Sequence, residues 1–357
     1  MAAELFKLNA CGLYCPHGDF YIDPWKPVER AVITHAHSDH ARWGMKRYLC
    51  SKEGERVLRL RLGPEMRIDT VEYGEAIHIN GVRVSLHPAG HVLGSAQVRV
   101  EHRGQVGVVT GDYKTEADLT CTPFELVKCH TFVTESTFGL PIYRWRPESE
   151  VFSQIHDWWR SNQEQGKASL LLGYALGKAQ RALSGLDPEV GPIFLHGAVR
   201  KITDGYRATG VPLPPTQQVW EVNKSFDWSR AIILAPPSAN GTPWLRRFGD
   251  HSTAFMSGWM AIRGARRRRA VDRGFVLSDH VDWPALLNTI SATEAECVWV
   301  THGYSSVVVQ YLKEQGLDAR VLPTRWEGEQ DDAGTSEAAA EAAEEENRGE
   351  RIVNGEW

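Results

Sequence analysis

The residues of this 357-residue chain that carry most chemical information are six in a row, His35-Ala36-His37-Ser38-Asp39-His40. They follow an apolar run at residues 31–34, so they sit on a loop at a strand end. Three imidazoles and a carboxylate, with no thiolate among them, suit Zn²⁺ or Mn²⁺. Other segments repeat the pattern. His91 lies in Pro88-Ala-Gly-His-Val-Leu-Gly-Ser95, between two strands. Asp112 ends the run Val-Gly-Val-Val-Thr-Gly, His280 follows Leu277-Ser-Asp, and His302 follows Val300-Thr. Each has an ordinary reading alone, as a packed histidine or a strand-end turn. Together they are strand-end loops that each present His or Asp, which is how a site at a sheet edge collects its ligands.

The ligand count supports two metal ions. His35, His37 and His91 would hold the first, and Asp39, His40 and His302 the second, with Asp112 bridging. An open position on each ion leaves room for a shared water, whereas structural zinc is closed by four protein ligands. Two ions about 3.5–4 Å apart activate such a water and clamp both oxygens of a displacement at phosphorus.

The elements that must position these loops are mostly short. Strands are expected at 20–22, 31–34, 76–79, 82–88, 96–102, 105–110 and 131–134, with helices at 51–62 and 148–163. From residue 168 strands (169–174, 192–195, 231–235, 254–259) alternate with helices (176–186, 198–209), which implies a parallel α/β layer. Residues 274–323 are α/β again, with strands at 275–278, 297–301 and 319–322 and helices at 284–290 and 305–315.

The series His35-x-His37-x-Asp39-His40, His91, Asp112, His302 resembles the ligand series of the metallo-β-lactamase superfamily. The later motifs resemble its β-CASP nuclease branch: Glu135 in Val133-Thr-Glu-Ser-Thr-Phe138, His280, His302, and the turn Tyr174-Ala-Leu-Gly-Lys-Ala-Gln180. The opening, Gly12-Leu-Tyr-Cys-Pro-His-Gly-Asp-Phe-Tyr-Ile-Asp-Pro-Trp25, looks most like bacterial DNA-ligase-associated exonucleases, relatives of the Artemis cross-link-repair nucleases. The resemblance implies an α/β fold, a metallo-β-lactamase αββα sandwich with an inserted α/β β-CASP domain. Its parts would be 1–147 and 273–325 for the metal-binding domain, 148–272 for the insert and 326–357 for an acidic tail. It implies catalytic roles for Asp39, Asp112, Glu135 and His280. His280 would protonate the leaving oxygen and Glu135 would orient it. Asp23 resembles an early aspartate that braces the ligand loop; otherwise it opens the Asp-Pro turn. His302 departs from the DNA-repair members, which typically have Val there, and matches RNA-processing relatives.

The implied function is a metal-dependent DNA exonuclease in repair or end processing. The implied cofactors are two divalent ions, zinc or manganese. The implied substrate is DNA, single-stranded or with free ends, with a functional link to a DNA ligase and helicase. The alternatives are a ribonuclease of the same branch and a non-catalytic scaffold, and scaffolds usually lose ligands that are all present here.

Net charge is −5, but residues 327–357 hold 11 acidic and 2 basic residues, leaving 38 basic against 34 acidic before them. The body is mildly basic, and the tail reads as a solubilising acidic segment. Arg144, Arg146, Lys178, Arg181 and the run Arg266–Arg269 are candidate phosphate partners. Ser95, Ser136 and Thr137 could donate to a phosphate, and Tyr174, Trp244 and Trp259 could stack bases, although turn bonds and core packing explain these residues as well. Cys11, Cys15 and His17 could form half a zinc site, but no second pair has matching spacing, so buried thiols are the expectation. No signal peptide or apolar span is visible, so a cytoplasmic protein without a membrane partner is expected.

Overall fold

The computed structural model describes residues 4–223, 225–262 and 270–324. The chain divides into two compact units. The first takes the chain up to Arg144 and again from Asp279 onward, with Ala208–Val211; the second takes Trp145–Arg207 and Pro212–Ser278.

In the first unit, β1 (Lys7–Asn9), β2 (Gly12–Cys15), β3 (Phe20–Ile22), β4 (Ala31–Val32), β5 (Tyr48–Ser51) and β6 (Ile68–Val71) form one sheet in that order. Its first three strands are antiparallel, and β3 to β6 run parallel. Helix α1 (Glu55–Leu62) joins β5 to β6. The expected helix from residue 51 begins later because Ser51 is held in the sheet opposite Val71. A second sheet starts as a meander of β7 (Ala76–Ile79), β8 (Val82–Pro88), β9 (Ala96–His102) and β10 (Gln105–Val109), and continues in parallel with β11 (Thr131–Glu135).

The second unit begins with α2 (Glu148–Glu164). Its sheet holds β12 (Ala168–Leu172), β13 (Ile193–Leu195), β14 (Gln217–Gln218), β15 (Ile232–Ala235), β16 (His251–Met256) and β17 (Arg273–Phe275), all parallel, in the order β14-β13-β15-β12-β16-β17. Helices α3 (Lys178–Ser184) and α4 (Gly197–Ala208) supply crossovers. Leu171, Leu195, Leu234 and Met256 pack on one face against Ile155, Trp159 and Leu183, while Leu170, Phe194 and Ile233 pack on the other against Trp228 and Phe248. Strands buried on both faces read as continuous apolar runs, which is why these were visible in sequence. Because β17 pairs with β16, residues 273–278 travel with this unit, whereas the sequence reading returned to the metal-binding domain at 273.

The chain then returns to the second sheet of the first unit through α5 (Trp283–Ala292), β18 (Cys297–Thr301), α6 (Ser305–Glu314) and β19 (Asp318–Val321), giving the order β19-β18-β11-β10-β9-β8-β7. Side-chain alternation sorts this sheet's two faces. Val109, Val133 and Trp299 join Leu13, Ile22, Val32 and Leu49 of the first sheet in one core; Val108, Phe132, Val298 and Val300 pack on Leu286, Ile290, Val308 and Leu312 of α5 and α6. Two sheets therefore share an apolar layer, and helices cover the second sheet's outer face.

The expected 254–259 strand is His251–Met256 followed by a short 3₁₀ turn that Ser257 caps through the Trp259 N–H. The six cysteines are free thiols. Cys15 is buried, and His17 stacks on His102 with ring centroids 4.4 Å apart. The Arg266–Arg269 run and the acidic tail lie outside the described residues. Among the described residues no helix is long and apolar enough to cross a membrane.

Candidate metal centre

Strand β4 runs into the His35–His40 loop, β8 and β9 bracket the His91 loop, β10 leads to Asp112, β11 ends on Glu135, and β18 leads to His302. All of these belong to the first unit, as does His280. His35 Nε2 lies 3.0 Å from His37 Nδ1, and His91 Nε2 lies 3.1 Å from that same atom. Asp112 Oδ2 is 3.4 Å from His35 Nε2 and 3.7 Å from His91 Nε2. Ligand atoms about 2.0–2.1 Å from a tetrahedral zinc would be about 3.3 Å apart, so these separations match the edges of such a site.

The second group is more open. Asp39 Oδ2 and Asp112 Oδ2 each lie 3.5 Å from His40 Nε2, and the His302 ring is 5.4 Å from the His40 ring, centroid to centroid. Asp112 Oδ2 thus faces both groups.

Hydrogen bonds on the far side of the His35, His40 and His91 rings fix their tautomers. The Thr34 hydroxyl spends its proton on Asp23 Oδ2 at 2.6 Å, so the contact with His35 Nδ1 at 3.0 Å has the ring donating. His40 Nδ1 donates to Asp23 Oδ2 at 2.7 Å, and His91 Nδ1 donates to the Asp279 carbonyl at 2.8 Å. Each bond leaves Nε2 as the nitrogen that faces inward, the arrangement that metal-binding histidines use. Asp23 also accepts the Thr34 N–H at 2.8 Å, so it braces the loop as well as His40. Asp23 and His302 hold left-handed backbone, φ 44° and 53°. Such conformations cost on the order of 1–3 kcal/mol each and persist where the surroundings impose them. Gly111, at φ 59°, sits so close to Thr34 that an added Cβ would lie 2.5 Å from its hydroxyl oxygen.

Two observations test whether a divalent cation fits. His40 Nε2 is buried and has no hydrogen-bond partner among the described residues. Burial opposes charge on His40, yet the carboxylates of Asp39, Asp112 and Asp23 outweigh it and raise its pKa well above the usual value. The pocket therefore favours positive charge beside an unsatisfied nitrogen. Burial keeps His35 and His91 well below the usual imidazole range, so both are neutral and able to ligate. The residues fit. Asp23→Asn is expected to lower zinc affinity about 10–100-fold, measured by competition with a chromophoric chelator, with little change in circular dichroism.

Glu135 is buried at the end of β11. It accepts the Tyr113 N–H at 2.9 Å and the His280 Nδ1–H, with both carboxylate oxygens 2.9 Å from that nitrogen. Among the described residues, ligand-type atoms within 4.8 Å of one another form two groups, His35/His37/His91/Asp112 and Asp112/Glu135/His280, which meet at Asp112.

The expected phosphate partners separate. Ser95 Oγ accepts the N–H groups of His91 and Val92 at 3.0 and 3.2 Å, so it shapes the His91 loop from inside. Ser136 Oγ donates to the carbonyls of Thr301 and His302, which ties β11 to the His302 loop, and Thr137 is buried beside it. Lys178 and Arg181 are both buried in the second unit. The Arg181 guanidinium donates to the Glu148 carboxylate and, at 2.9 Å, to the Ser278 carbonyl, so its charge fastens α3 to α2. Arg144 and Arg146 are exposed. Tyr174 packs edge-on to Phe255, Trp244 packs against His196 and Phe248, and Trp259 is buried. Sequence reasoning missed Thr34; its position directly before His35, at the strand end, was the available signal.

No family model matches the chain. A protein of Opitutus terrae named probable DNA ligase is 32% identical over 314 residues, which is 86% of this chain and 30% of that protein. The endoribonuclease YSH1 of Eremothecium gossypii is 35% identical over 34% of this chain and 16% of its own length. Cleavage and polyadenylation specificity factor 73 of Drosophila melanogaster is 31% identical over 51% of this chain and 27% of its own. The chain thus spans less than a third of the length of each. Among solved structures, a protein of unknown function from Enterococcus faecalis V583 is 12% identical, with a TM-score of 0.55 over 83% of this chain and 79% of that one, a likeness of fold alone.

Proposed function

We propose that this chain, which belongs to the β-CASP branch of the metallo-β-lactamase family, is a metal-dependent phosphodiesterase that trims DNA ends as an exonuclease in repair or end processing. The observation that carries the reading is the meeting at Asp112 of an imidazole cluster and a His280–Glu135 pair. His35, His37 and His91 would hold one divalent ion, Asp39, His40 and His302 a second, with Asp112 shared. When bound, the ions supply an activated water and neutralise charge at phosphorus, and zinc or manganese would serve.

The chain's own residues do the rest. Asp23, Thr34 and the Asp279 carbonyl keep three imidazoles in the ligating tautomer. Glu135 holds the Nδ1 proton of His280 and stabilises its charged form, leaving Nε2 to carry a proton to the departing oxygen. Exposed Arg144 and Arg146, together with the Arg266–Arg269 run, would meet the phosphate backbone.

The probable DNA ligase relative aligns with most of this chain within a much longer protein, which supports a link to ligation and hence a DNA substrate. A second reading, an RNA nuclease, is favoured by His302 and by the relative named an endoribonuclease. Purified protein with Zn²⁺ or Mn²⁺, given end-labelled single-stranded DNA and RNA of matching sequence, separates the two. DNA is expected to be shortened stepwise from one end. Faster cutting of the RNA would reverse the order of the two readings.

A further inference from the structure

Trp43, three residues after His40, is 59% exposed and takes no part in the reaction described above. A lone exposed apolar residue is ordinary; the way this one is held is not. The buried Tyr48 hydroxyl donates to the Arg42 carbonyl at 2.8 Å and accepts the Met45 N–H at 3.1 Å, clamping the chain on both sides of Trp43 and Gly44. Gly44 has φ 94°, and a Cβ there would lie 3.1 Å from Pro27. Arg42 Nε donates to the Asp39 carbonyl at 3.4 Å, tying the same turn to the ligand loop, and Arg61 Nε of α1 braces that loop through the Ala36 carbonyl at 3.2 Å. An indole is therefore displayed on a stiff tip. Three residues of chain reach at most about 11 Å, which keeps that tip near the metal-binding loop.

The neighbouring stretch of chain carries three cations, two of them paired with carboxylates. Lys46, Arg47 and Arg67 are exposed, and Arg67 has no ion-pair partner among the described residues. Lys46 pairs with Glu29, and Arg47 with Asp69 at 3.1 Å, as exposed pairs that contribute little and can yield to a phosphate. The Tyr48 N–H donates to the Arg67 carbonyl, which sets Arg47 and Arg67 at the starts of adjacent strands β5 and β6. Aromatic faces beside backbone-binding cations are how single strands are gripped without sequence preference.

We propose that Trp43 is a stacking platform for a base of the single-stranded nucleic-acid substrate, with Lys46, Arg47 and Arg67 taking the adjoining phosphates. This rests on the nuclease reading above and assigns it a substrate-positioning surface. Binding of fluorescent single-stranded oligonucleotides, measured by anisotropy with Zn²⁺ present, tests it. Trp43→Ala should weaken binding about five- to hundredfold, the range for one stacked base, and Trp43→Phe should retain most of it. An oligonucleotide of abasic residues should bind wild type and Trp43→Ala alike, since it has no base to stack. Equal affinity of Trp43→Ala and wild type for the normal strand would overturn the proposal and leave the indole to a protein partner. An equal loss on both strands would overturn it too, because it would mark a structural effect. Wild type that grips the normal strand but never cuts it would refute the nuclease reading while the stacking result stands.

Discussion

Asp112→Ala is expected to abolish phosphodiester cleavage, by on the order of 10³-fold or more, while the fold survives. The carboxylate lies three residues beyond the end of β10, with Oδ2 within 3.7 Å of the inward nitrogens of His35, His91 and His40, so one substitution removes a ligand from both groups. Burial opposes its charge, but His40 and His280 overcome that and hold it well below the usual carboxylate range. It therefore stays ionised at neutral pH and is available to a cation. Its contribution to stability is present above the unfolded carboxylate's pKa and is lost as pH falls through the depressed folded value. Zinc content per chain should drop together with activity, and circular dichroism should not change. An active, fully loaded Asp112→Ala protein would remove the bridging role.

His280→Ala is the second large effect. General acid catalysis contributes roughly 10²–10⁴-fold, so cleavage of DNA, whose leaving alkoxide needs a proton, should fall by that amount. Hydrolysis of bis(p-nitrophenyl) phosphate, whose leaving group departs without help, should fall far less. Glu135→Gln should follow the same pattern with a smaller loss, because it removes the charge that steadies the imidazolium but keeps the side-chain shape. Equal losses on both substrates would mean that His280 serves binding or structure.

Much of the site was legible because its information is local. Ligand types cluster within His35–His40, and the other members end apolar runs that must be strands. The centre of the parallel sheet in the second unit was equally open to reading, since β13 and β15 are continuous apolar runs and β12 is nearly one. Strands β1, β2, β5 and β6, of three or four residues each, were not read from the sequence. The surroundings of two candidate cations were hidden as well. Residues 178–183 of α3 are all buried, so that short helix has no polar face to announce which charges meet solvent. Arg181 looked like a phosphate partner until its carboxylate, thirty-three residues away at Glu148, came into view. Ser95 and Ser136 were ambiguous in the same way, because a hydroxyl spent on a backbone partner is invisible until the loops are closed. Trp43 gave no sign at all; its significance depends on the Tyr48 clamp, which only the tertiary structure displays.

The central claim is that one cluster built around Asp112 performs metal-dependent cleavage of nucleic acid. Its most direct test is end-labelled single-stranded DNA incubated with wild-type protein as prepared, after exhaustive chelation, and after Zn²⁺ or Mn²⁺ is restored, with Asp112→Ala in parallel. Shortening should disappear on chelation, return with metal for wild type, and never return for Asp112→Ala. Cleavage that persists through chelation and in Asp112→Ala would contradict it.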